Sequence, residues 1–177
     1  MGGLPQGPFE ARLAATLFLL LLGLADAFGA LQVRQFAAFT PDGVAGAVGS
    51  TAHPHGGERP VTLESLNAPS HHIDRELLVQ DSHVHVPAYA MTAAFLSLIV
   101  LGLRLRSATR TALVGAAFAA PAVDFAGLWG AHWSSSGGRL WAAAALAGGF
   151  GMALVYLAVL GITIRQCWFG RKDRSHV

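Results

Sequence analysis

Charge is what this sequence has least of. Only 12% of its 177 residues are Asp, Glu, Lys or Arg, against about 25% in an average soluble domain. That deficit excludes a surface wetted mainly by water. With a mean hydropathy of +0.48, it points to lipid as the main solvent. Cysteine is nearly absent as well. Cys167 stands alone, which excludes an intrachain disulfide. The chain has no Walker loop, no HExxH pair and no CxxCH haem attachment motif, so nucleotide hydrolysis, zinc proteolysis and covalent haem binding lose their usual signatures. Ser70, Ser82 and the serines at 134–136 show no triad spacing. The basic clusters are short, which leaves nucleic-acid binding without support; orientation and anionic lipid account for them. A non-catalytic protein is expected.

What the sequence does have is apolar residues in long runs. Spanning a hydrocarbon core about 30 Å thick takes roughly 20 mostly apolar residues. Four runs qualify: 13–31, broken only by Asp26; 86–103, without a charge; 111–131, with Asp124 inside; and 140–164. Backbone groups in lipid must be satisfied within their own segment, so each run should be a helix. The expected fold is an all-α membrane protein, a four-transmembrane-helix bundle forming a single domain over 1–177, with a long outward loop at 34–85. A signal-peptide reading of the first run competes, because Ala25-Asp26-Ala27 follows an apolar core. The run carries on to Leu31, however, and only Arg12 precedes it.

Charge placement predicts orientation. Arg12, Arg104, Arg106, Arg110, Arg165, Arg171, Lys172 and Arg174 fall on one side; Arg34, Arg59, Arg75 and Arg139 fall on the other. Eight against four puts both termini in the cytoplasm by the positive-inside rule. Trp129, Trp133 and Trp141 then form an aromatic belt at the outer surface. Residues 1–11 read as a frayed tail, Pro41-Asp42-Gly43 as a turn, and 73–80 as a short surface helix feeding the second span. Glycine and alanine crowd the third and fourth spans, which favours close helix packing. Gly148, Gly149 and Gly151 lie within lipid and form no nucleotide cradle. Pro121 is expected to kink the third span.

The candidate site lies at the outer ends of the spans. Pro87 biases Val86 towards extended backbone. If the second span starts at Pro87, His83-Val84-His85 is extended and both imidazoles share a face. Asp26, Asp124 and His132 occur at similar depth. Ionisable groups in a membrane usually face the bundle interior or a cavity. His83, His85, His132, Asp124 and Asp26 are therefore the candidate metal ligands for Cu or Zn, and His83, His85 and His132 the candidate ligands of haem b. The plainer reading takes each histidine as an interfacial polar group and each aspartate as a neutral hydrogen-bond donor. His53, His55, His71 and His72 read as solvated loop residues.

Three stretches, "TPDGVA" at 40–45, "RELLVQDSHVH" at 75–85 and a third span carrying Asp124 and Trp129, resemble a family of small bacterial four-helix inner-membrane proteins with a TPxG turn and an HxH entering the second helix. After the turn this chain reads "GVAGAVGS" where that family carries Tyr-Arg-Gly. The resemblance implies an inner-membrane protein near electron transfer in cytochrome-containing respiratory chains, with His83 and His85 as the functional pair and Asp124 beside them. The expected function is an accessory protein or subunit of a membrane redox complex, with the lipid bilayer, other membrane subunits or a cytochrome as partners. A purely structural packing subunit without a cofactor is one alternative. A metal or small-solute transporter is another, against which only two acids interrupt the spans and no ladder of ligands crosses them.

Overall fold

The computed structural model describes residues 3–48, 75–134 and 138–169. A 3-10 turn at Leu4–Gln6 precedes five helices: α1 Phe9–Ala37, α2 Pro41–Val48, α3 Arg75–Gly102, α4 Ser107–Trp133 and α5 Gly138–Trp168. There is no strand among the described residues. α1, α3, α4 and α5 are each long and apolar enough to cross a membrane, and they alternate in direction. Phe9, the α3–α4 connection and Trp168 meet at one end of the bundle. α2 packs at the other.

α5 is the centre. It touches every other helix, most extensively α4. Glycine explains that contact. Gly127 of α4 lies against the backbone of Ala145, and Gly148 of α5 lies against the Asp124 amide and the Ala120 carbonyl. No Cβ fits at either place, so the two backbones approach as closely as small residues allow. Lower in the bundle Leu19, Ala93, Leu96, Val100, Met152 and Val159 form a common core of α1, α3 and α5.

α2 corrects the turn expected at Pro41-Asp42-Gly43. Ala38 and Phe39 both take left-handed backbone, with φ of 49° and 55°, which reverses the chain after α1. Thr40 then caps a helix: its Oγ1 accepts from the Gly43 amide at 3.0 Å. Pro41 follows as the first helical residue, where its missing N–H costs nothing, and Asp42 complements the positive end of the dipole. Val44 and Val48 are buried against Ala37, Ala131 and Ala142. Arg139 pairs with Asp42 at 3.3 Å on the surface.

The expected tail and loop also change. Leu4–Gln6 docks on the end of α3, where Gly102 leaves it room, and α1 starts at Phe9 rather than Leu13. Within 34–85, residues 34–37 belong to α1, 41–48 to α2 and 75–85 to α3. His53, His55, His71 and His72 lie outside the described residues. α4 runs through Pro121, which is buried.

Candidate functional site

α3 decides the histidine geometry. It is continuous from Arg75 to Gly102 with Pro87 inside it, so the extended segment expected at 83–85 does not exist. Two residues along a helix turn the side chain through about 200°. His83 and His85 therefore point to different sides and do not converge on one ion or one haem edge. Pro87 acts differently from the way its neighbours suggested. It provides no N–H for the His83 carbonyl one turn back, yet the helix persists on either side.

His85 faces the helix's own surface. Its Nδ1 lies 3.0 Å from Asp81 Oδ1 and 2.9 Å from the Asp81 carbonyl, and one turn on its ring stands 6.1 Å from that of Tyr89. Asp81, His85 and Tyr89 recur every four residues and so share one stripe. Tyr89 packs edge-on against Phe125 of α4 at 5.6 Å. Asp124, half-buried next to Phe125, is near enough to His85 and Asp81 to interact with their charges. Asp26 of α1 is felt by Tyr89 and by Tyr156 of α5. The Oδ2 atom of Asp26 is buried without a hydrogen-bond partner among the described residues. These groups form a polar line away from the α2 end, with Asp81 and His85 exposed and Tyr89, Asp124 and Asp26 half-buried.

His132 departs from that line. It is 7% exposed, and its Nδ1 lies 2.8 Å from the Val48 carbonyl, where a protonated Nδ1 donates to the last residue of α2. Its role is to tie α2 down. Trp129 stands between the two groups, donating its indole N–H to Ser82 Oγ of α3 at 3.0 Å, with its ring 6.1 Å from His132 and 5.0 Å from Trp133. His83 is exposed and has no hydrogen-bond or ion-pair partner among the described residues. The five residues singled out in the sequence therefore divide into three places. Among the described residues no three His, Cys, Asp or Glu side chains come together closely enough to hold a metal ion. Asp81 and Tyr89 were the missed members of the polar line. Their four-residue spacing with His85 was readable, but only along a helix drawn through Pro87.

Four apolar helices in alternating directions, each long enough to cross a membrane, define an integral, multi-pass α-helical membrane protein. The chain belongs to the Aq_1264_TM family of transmembrane helical domains, whose model matches residues 70–174. That match takes in α3, α4 and α5, with the polar line of α3 and Asp124 inside it, and leaves α1 and α2 outside. No curated protein and no solved structure matches the chain.

Proposed function

We propose that this protein is a non-catalytic accessory subunit of a bacterial inner-membrane redox complex, with both termini cytoplasmic and the α2 end outward. The observation that carries the reading is His83. It is an exposed imidazole at the α2 end with no partner among the described residues, on the side of α3 away from His85, while His85 and His132 are engaged within the chain. A chelate inside the chain is replaced by a single ligand or hydrogen-bonding group offered to a neighbour, where haem b, Cu or Zn would have to be completed by that neighbour. The arginines at 12, 104, 106, 110 and 165, all at the end opposite α2, support the orientation. The likeness at 75–85, together with Asp124 and Trp129, supports the respiratory setting.

The structural alternative has its own support in the glycine-mediated contact of α4 and α5, which makes a stiff scaffold without any cofactor. Purification from native membranes in mild detergent separates the two. The redox reading expects cytochrome or metal-bearing subunits to co-purify, with a Soret band or stoichiometric metal, and expects His83→Ala to release them while His85→Ala keeps them. Partners retained by both variants would leave the scaffold role. A chain that runs alone, colourless and metal-free, would overturn the accessory reading.

A further inference from the structure

The end of the bundle opposite α2 gathers positive charge. Arg12, Arg104, Arg106, Arg110 and Arg165 lie there, and Glu10 is the one carboxylate among the described residues at that end. Arg12 bridges α1 and α5. Its Nη1 donates to the Cys167 carbonyl at 3.1 Å, and its guanidinium carbon lies 5.8 Å from the centre of the Trp168 ring. Trp168 is itself held in place, donating its indole N–H to Thr16 Oγ1 at 3.0 Å and receiving Phe9 edge-on at 5.9 Å. Arg12 Nε and Arg110 Nε are buried and have no acceptor among the described residues, though Arg110 donates through Nη2 to the Leu103 carbonyl at 3.4 Å. A guanidinium is always ionised and carries five N–H donors. A buried N–H without an acceptor is costly, and the planar fork can take the oxygens of a phosphate or a carboxylate in pairs.

We propose that this end binds the phosphodiester of an anionic phospholipid, received at the α1–α5 seam by Arg12. The surroundings favour a lipid over a free anion. Leu13 and Leu17 continue down α1 from Arg12 as exposed apolar side chains, and Phe9, Trp168 and Phe169 are exposed beside it. They form a track for acyl chains that inorganic phosphate would not use. The inference depends only on the chain spanning a membrane, not on its having a redox partner.

The test uses the full chain in nanodiscs of phosphatidylglycerol or phosphatidylcholine, read by native mass spectrometry for retained lipid and by thermal melting. The wild type should retain phosphatidylglycerol preferentially and melt higher in it. Arg12→Gln should lower that retention about fivefold, the worth of one arginine near an anionic surface. Arg139→Gln, at the opposite end, should leave it unchanged. Equal retention of the two lipids, or a preference untouched by Arg12→Gln, would overturn the proposal. So would inorganic phosphate, added to phosphatidylcholine discs, raising the melting temperature as much as phosphatidylglycerol does. Should Arg12→Gln fail to fold, the wild-type melting comparison decides alone, and the absence of a difference between the two lipids rejects the site.

Discussion

Gly148 of α5 lies directly on the backbone of Asp124 of α4, with no space for a single added carbon. One half-buried acid is therefore placed by a close contact of two helix backbones, and its position depends on a residue with no side chain. Gly148→Ala should push the helices apart and destabilise the fold by about 1–3 kcal/mol, the usual cost of overpacking. Gly149, next in sequence, faces open space, so Gly149→Ala should be neutral or slightly stabilising. Thermal melting of both variants in the same detergent checks the contrast, and equal losses would contradict the packing described.

His132 should matter for stability rather than for cofactor binding. His132→Ala removes the partner of the Val48 carbonyl, and a buried group left unsatisfied costs about 1–3 kcal/mol. The damage should be local. Val44, Val48 and this bond, with the exposed Asp42–Arg139 pair beside them, hold α2 in place, so limited proteolysis should cut near 41–48 sooner in the variant, with the long helices still protected.

The Trp129–Ser82 bond ties α4 to α3. A double-mutant cycle with Trp129→Phe and Ser82→Ala should give a coupling of about 0.6 kcal/mol, and no more than about 1.7, the range seen for side-chain hydrogen bonds between membrane helices. Strict additivity of the two changes would mean that the bond is not made.

Divergence of His83 and His85 has a direct consequence for metals. Titration of the isolated protein with Zn or Cu(II), followed by calorimetry, should show no tight one-to-one site lost in both His83→Ala and His85→Ala. A site that each substitution abolished would require both imidazoles on one ion, and hence a break in α3 before Pro87.

Much of this molecule was legible in the residue order. The four spans follow from hydropathy because hydrocarbon forces each apolar run to satisfy its own backbone, and a run of that length does so as a helix. The small-residue character of the last two spans foretold their close approach. Pro41-Asp42-Gly43 forms helix instead of the expected turn because Pro-Asp-Gly serves equally as a turn and as a capped first turn of helix. What separates the two is the burial of Val44 and Val48, which is a property of the neighbours.

The sequence by itself determined the number of long apolar helices and the solvent they need, because those depend on composition along one run. Which groups meet was settled only by the tertiary structure. Pro87 permits either a helix start or a helix interior, and packing of α3 along α4, through Ser82 and Tyr89, selects the interior. That choice rotates His83 away from His85, gives His85 to Asp81, and leaves His132 to α2. Rotation about a helix axis is invisible in a one-dimensional pattern unless the start of the helix is known, and here the contacts with neighbouring helices fixed that start.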